Sequence, residues 1–87
     1  MPTVEIYTTP SCGYCLAAKR LLAGKGIAYT ETDVSADPAL RQTMMQRANG
    51  RRTVPQIFIG GRHVGGCDDL HALDHTGKLD AMLAGAA

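Results

Sequence analysis

Residues 4–33 hold the pattern that most limits what this chain can fold into. Val4-Glu5-Ile6-Tyr7 alternates apolar and polar positions, as a strand does, before the turn-forming Thr9-Pro10-Ser11. From Gly13 to Lys25 the residues Cys15, Ala18, Leu21 and Leu22 recur at helical spacing while Lys19 and Arg20 fall on other faces, and Gly24 and Gly26 supply a stop. Ile27 to Asp33 is again rich in β-branched and aromatic residues. A helix of about a dozen residues between two strands carries the chain back across a sheet, so the two strands run parallel in a βαβ unit.

The remaining elements follow the same logic. Asp37 caps a second helix with Pro38 in its first turn, where the missing N–H costs nothing; Leu40, Met44 and Ala48 share one face and Asn49-Gly50 ends it. Gln56 to Ile59 contains the continuous apolar run Ile57-Phe58-Ile59, which predicts a strand buried on both faces. Gly60-Gly61 turns it back into Arg62-His63-Val64 as a hairpin. After Gly65-Gly66, Asp68 or Asp69 opens a third helix through about His75; Gly77 ends it, and Lys78 to Leu83 forms a short terminal helix before a small-residue tail, Ala84 to Ala87, expected to fray. A four-stranded mixed sheet flanked by helices, β-α-β-α-β-β-α, is the simplest α/β architecture that buries these faces.

At 87 residues the chain is one domain spanning 1–87, hiding roughly 60% of its surface on folding. With 45% hydrophobic and 20% charged residues it has enough apolar material for a core. Nine basic residues against eight acidic leave a net charge of +1, which gives no electrostatic footprint for nucleic acid or a membrane surface. No apolar stretch approaches the ~20 residues of a membrane span, and Met1 to Pro10 has no basic-then-apolar leader. Three cysteines, two of them close together, do not make the disulfide framework of a secreted protein, so a reducing cytoplasm is expected.

The chemistry is concentrated in Cys12-Gly13-Tyr14-Cys15, at the handover from first strand to first helix. In that place two cysteines separated by two residues read as a redox pair. Cys12 meets the free N–H groups and positive dipole end of the helix, which favour negative charge on its sulfur. An ordinary thiol, with a pKa of ~8.5, is ionised to only a few per cent near pH 7, so such help decides whether it is a nucleophile. Cys15 lies one turn deeper, beside Ala18 and Leu22, and is expected to stay protonated until a mixed disulfide on Cys12 gives it a target. The alternative is half of a zinc knuckle, for which only Cys67 and three histidines remain as ligands.

Two further segments carry recognition. In Thr53-Val54-Pro55 the proline holds Val54 extended, leaving main-chain groups with which a short peptide can pair like an added strand; an ordinary strand entrance is the plainer alternative. In Gly66-Cys67-Asp68-Asp69 the glycine permits close approach, the N–H groups of a helix start can receive a carboxylate, and Asp68 can hold an ammonium. Read alone, the two aspartates are an N-cap and a first-turn acid.

Together, Cys12-Gly13-Tyr14-Cys15, Thr53-Val54-Pro55 and Gly65-Gly66-Cys67-Asp68-Asp69 resemble, in order and spacing, the glutaredoxins, and most nearly their short bacterial dithiol members. The match spans nearly the whole chain, helped by the run Val54 to Ile59. The resemblance implies a thioredoxin fold and a glutathione-dependent thiol–disulfide oxidoreductase. It would reduce glutathionylated proteins and low-molecular-weight or protein disulfides, with glutathione as co-substrate and no obligatory cofactor. It further implies Cys12 as nucleophile and Cys15 as resolving thiol, with Tyr14 flanking the groove. Thr53 and Val54 would pair with the glutathione backbone, Pro55 would be cis, and Gly66, Cys67 and Asp68 would take the γ-glutamyl end. Gln42 would take the glycyl carboxylate.

Two positions depart from the family's usual pattern: Gly13 stands where proline is typical, and Thr9 where lysine is common. The first loosens the helix start. The second leaves the helix dipole more of the work at the thiolate and weakens glutathione binding. Because glutaredoxins without that proline include cluster binders, the resemblance also implies an alternative. In it a dimer holds a [2Fe-2S] centre through Cys12 and glutathione from each protomer, whereas the enzyme is a monomer. Elsewhere Met44 and Met82 read as core filler and Met45 as exposed, while His63, His71 and His75 read as surface or capping residues. Arg51-Arg52 reads either as a field that steers an anionic substrate or as a solvated pair, and Cys67 as an inert side chain with only its backbone used, the alternative being a modifiable third thiol near the site.

Overall fold

The computed structural model describes residues 2–85. The strands are β1 (Val4–Thr8), β2 (Thr30–Asp33), β3 (Gln56–Ile59) and β4 (Arg62–Gly65); the helices are α1 (Gly13–Gly24), α2 (Pro38–Arg47), α3 (Cys67–His75) and α4 (Lys78–Leu83). They form one sheet in the order β2-β1-β3-β4, with β1 parallel to β2 and the other pairs antiparallel. The mixed α/β architecture expected from the strand and helix periods is therefore present.

Alternation along β1 and β3 decides which face each side chain enters. Val4, Ile6, Ile57 and Ile59 join Ala18 and Leu22 of α1, Cys67 and Leu70 of α3, and Leu79 and Leu83 of α4 in the larger core cluster. Tyr7 and Phe58 point the other way, onto Val34 and onto Met44 and Ala48 at the α2 side. Ile57-Phe58-Ile59 is an unbroken apolar run because both faces of the sheet are covered. The α2 side is also tied by Arg47. Its guanidinium makes paired hydrogen bonds of 2.9 and 3.0 Å to the Glu5 carboxylate, donates to the Tyr7 hydroxyl at 2.9 Å, and lies 4.1 Å from the Phe58 ring centroid.

Several boundaries differ from expectation. β2 begins at Thr30 rather than Ile27, and its ladder with β1 runs from Thr30, opposite Glu5, to Asp33, opposite Thr8. The apolar Ile27 and Tyr29 pack on the larger cluster instead, and the Ile27 N–H donates to the Leu22 carbonyl at 3.0 Å as the chain leaves α1. α3 begins at Cys67 with Gly66 as its N-cap, so neither Asp68 nor Asp69 opens it. The Asp69 carboxylate reaches back to accept the Gly66 N–H at 2.9 Å, which supplies the cap from the third helical position. Met45, expected on the surface, is half-buried against the smaller cluster. The Gly60-Gly61 turn has φ of 59° and 81°, the left-handed pair that a two-residue hairpin requires. Of the expected tail, Ala84 caps α4 and Gly85 follows it; Ala86 and Ala87 lie outside the described residues.

Candidate active site

β1 and α1 meet at Cys12, which is the N-cap of α1 with extended backbone, φ −96° and ψ 111°. Its carbonyl accepts the first helical N–H, from Leu16, at 3.1 Å, and its sulfur accepts the Cys15 N–H, also at 3.1 Å. The cysteine thus occupies the position where serine or aspartate usually serves, its sulfur taking a first-turn N–H as their side-chain oxygen would. The sulfur also lies 3.6 Å from the Val54 carbonyl oxygen. Tyr14, on the outer side of the same turn, is 69% exposed.

Cys15 is 1% exposed and faces inward with Ala18 and Leu22. Burial chiefly, and then the hydrogen bond to Cys12 and the charge on it, push the Cys15 thiol up to about 12. The Thr9 backbone N–H and the Lys19 ammonium act the other way. Lys19 is held by Glu31, whose carboxylate accepts from the Lys19 ammonium at 2.9 Å and from the Thr8 hydroxyl at 2.7 Å. The pair is therefore asymmetric: one sulfur half-exposed at the helix end, the other sealed beneath it.

Next to Val54, whose carbonyl adjoins the Cys12 sulfur, an open groove of about 270 Å³ is lined by Tyr14, Arg51 and the Thr53-Val54-Pro55 segment and by Gly66, Cys67, Asp68 and Asp69 at the start of α3. The Val54–Pro55 peptide bond is cis. Asp68 is exposed and makes no hydrogen bond or ion pair among the described residues, leaving its carboxylate available to a cation in the groove. Cys67 lines the groove while only 8% exposed; burial first, then the charges of Asp68 and Cys12, push its thiol up. His71 Nδ1 lies 2.9 Å from the Cys67 carbonyl, which can only accept, so the ring nitrogen carries a hydrogen and offers the nearby sulfur, at 3.3 Å, no base.

The structure brings together every sequence-predicted site residue except Gln42, which sits exposed on α2 and is not among the residues lining the groove. It adds Asp69 and Arg51. The Asp69 carboxylate accepts from the Gly66 N–H and, at 3.0 Å, from Arg51, and these two contacts, in that order, hold it below the usual carboxylate range. The signal for Asp69 was its spacing, three residues after the glycine that precedes the helix. Arg51 and Arg52 differ in role: Arg51 belongs to this clasp, whereas Arg52 contributes its carbonyl to Arg41 at 3.2 Å. Around Cys12 and Cys15 the described residues include no group of three or more His, Cys, Asp or Glu side chains placed to share a metal ion.

The glutaredoxin family model matches residues 4–64, which include both cysteines and the whole Thr53-Val54-Pro55 wall. The chain belongs to the glutaredoxins. It is 55% identical to a glutaredoxin of Pseudomonas aeruginosa over 84 residues, covering 97% of this chain and 99% of that one. Among solved structures, a glutaredoxin from Brucella melitensis is 59% identical with a TM-score of 0.84, over 95% of this chain and 89% of that one. A buckwheat glutaredoxin–glutathione complex is 33% identical with a TM-score of 0.89, over 98% and 79% of the two chains. The fold is accordingly the thioredoxin fold, and this glutaredoxin is a thiol–disulfide oxidoreductase. No helix among its described residues is long and apolar enough to cross a membrane.

Proposed function

We propose that this glutaredoxin draws its electrons from glutathione and acts, as one domain over residues 1–87, on glutathionylated proteins and on low-molecular-weight or protein disulfides in a reducing cytoplasm. The observation that carries the reading is the placement of the Cys12 sulfur, at an N-cap and against the Val54 edge of an open groove. Val54 and Thr53 offer main-chain groups to the tripeptide backbone, the Gly66 end of the groove offers a helix start to the γ-glutamyl carboxylate, and the unengaged Asp68 receives its ammonium. Tyr14 covers the outer side. Gln42 is not among the lining residues and is assigned no contact.

In the first step the Cys12 thiolate attacks the glutathione sulfur of a mixed disulfide. A Cys12–glutathione disulfide forms and the protein thiolate leaves. A second glutathione thiolate then attacks the glutathione sulfur of that disulfide, releasing oxidised glutathione and restoring the Cys12 thiolate. With a protein disulfide the intermediate joins Cys12 to the protein, and Cys15 attacks the Cys12 sulfur to expel the protein thiolate. Two of the influences that raise the Cys15 thiol come from Cys12, and they vanish once Cys12 is in a disulfide, while Thr9 and Lys19 remain. The resolving thiol is thereby eased toward its ionised form, against the burial that remains, when there is something to resolve.

The test is turnover of a glutathionylated peptide by glutathione. Cys12→Ser is expected to abolish it and Cys15→Ser to retain it while losing protein-disulfide reduction; full activity in purified Cys12→Ser overturns the reading.

A second reading is favoured by the same asymmetry. Each chain presents one accessible sulfur at an open helix start, since nothing lies within 4 Å of a side chain added at Gly13. Two protomers, each lending Cys12 and one glutathione, supply the four thiolates of a [2Fe-2S] cluster. A visible charge-transfer spectrum and a dimeric mass after anaerobic reconstitution with iron, sulfide and glutathione support it; a colourless monomer rejects it.

A further inference from the structure

Thr53, the outer residue of the groove's strand wall, lies in coil ahead of β3 with no ladder behind it. Gln56 holds it in place. That side chain is 0% exposed, and its nitrogen donates to the Thr53 carbonyl at 3.0 Å and to the Thr53 hydroxyl oxygen at 3.3 Å. The amide oxygen lies 2.7 Å from His63 Nε2 on the neighbouring strand, and the His63 ring lies 5.0 Å from that of Phe58, its cross-strand partner.

These contacts fix one arrangement. The Thr53 carbonyl only accepts, so the amide nitrogen must face it; the amide oxygen then faces His63, and His63 Nε2 must carry a hydrogen. The Thr53–Val54 peptide is trans, and in a planar trans peptide the carbonyl and the following N–H point in opposite directions. Drawing the Thr53 carbonyl inward to Gln56 therefore turns the Val54 N–H away from the sheet, on the residue whose carbonyl adjoins the Cys12 sulfur. A buried amide at the first position of an otherwise apolar strand is costly unless fully bonded, and no buried side-chain polar atom among the described residues is left without a partner.

We propose that Gln56, locked in orientation by His63, is a positioning residue for glutathione: it sets the Val54 main-chain edge with which the tripeptide pairs. This rests on the glutathione-dependent reading above. Gln56→Met keeps the volume and removes both hydrogen bonds to Thr53. The apparent KM for glutathione is expected to rise about tenfold with kcat within about twofold, the size expected when two modest hydrogen bonds that act only on substrate placement are lost. His63→Phe keeps the stack on Phe58 and removes the lock, with an expected rise of about threefold. Alkylation of Cys12 by iodoacetamide, which needs no groove, is expected to be unchanged in both.

An unchanged KM in folded Gln56→Met overturns the proposal, as does a fall in kcat with KM unaffected or a parallel loss of Cys12 alkylation. If Gln56→Met does not fold, His63→Phe decides on the same criteria. Failure of the wild-type protein to turn over with glutathione at all strikes the parent reading instead, and is told apart by being independent of position 56.

Discussion

The two walls of the groove are held by different means. The Thr53-Val54-Pro55 wall is fixed from behind by a fully buried amide and continues into a strand sealed on both faces. The Gly66-Cys67-Asp68 wall is a helix start held by backbone geometry and by the Asp69 carboxylate, which takes the Gly66 N–H on one side and Arg51 on the other. The Arg51–Asp69 pair is close to half exposed, 46% and 47%. Buried, neutral hydrogen bonds are little affected by salt, whereas an exposed ion pair is screened. The strand wall is thus held by bonds that ionic strength hardly touches, and the helix wall in part by a charge pair that salt screens.

That contrast breaks most severely at Gly65. Its φ of +120° suits glycine, and a side chain there would run into the Asp69 carboxylate and the Arg51 guanidinium. Gly65→Ala is expected to cost about 2 kcal/mol or more of stability and to raise the KM for glutathione with it, measured by urea unfolding and steady-state kinetics. Wild-type behaviour would mean that the helix wall is not anchored at this point.

Asp69→Ala comes next, with an expected loss of about 1 kcal/mol, the usual worth of a helix cap. Its pH dependence has a definite sign. The folded Asp69 carboxyl sits below its ordinary value of 3.8, so its contribution is complete above that pH and disappears as pH falls through and below it. The stability difference between wild type and Asp69→Ala should therefore be full at pH 7 and shrink below about 3.8. A difference that is constant with pH would contradict the assignment. Arg51→Ala is the smallest, about 0.5 kcal/mol or less at low salt and vanishing at high salt. Equal sensitivity of Gln56→Met to salt would erase the distinction between the walls.

Much of this was legible in the sequence because the relevant signals are local. Helical spacing from Cys15 to Leu22, the doubly buried run Ile57-Phe58-Ile59 and the Gly60-Gly61 turn each report a period or a backbone requirement that no distant contact overrides. The cysteine pair at a strand-to-helix junction carried the chemistry in the same way. What escaped depends on partners far along the chain. Ile27 and Tyr29 look like strand residues, yet the ladder with β1 starts only at Thr30 and both pack on the larger core cluster instead. The α3 cap was misplaced because its N-cap is a glycine without a side chain, and the cap bond comes from Asp69. Gln56 gave no sign of its task, since both its buried position and its link to His63 require the hairpin to be formed. Gln42 came from resemblance alone, and α2 holds it on an exposed face outside the groove lining.

The central claim is that one turn of α1 divides the two cysteines into an open nucleophile and a sealed reserve. The most direct measurement is iodoacetamide labelling of the reduced protein at pH 7, with the modified residues and their rates read by peptide mass spectrometry. The account predicts that Cys12 reacts first and that Cys15, raised to about 12 by burial and by Cys12, lags by at least about a hundredfold. Comparable labelling of Cys15, or preferential labelling of Cys67, would contradict it.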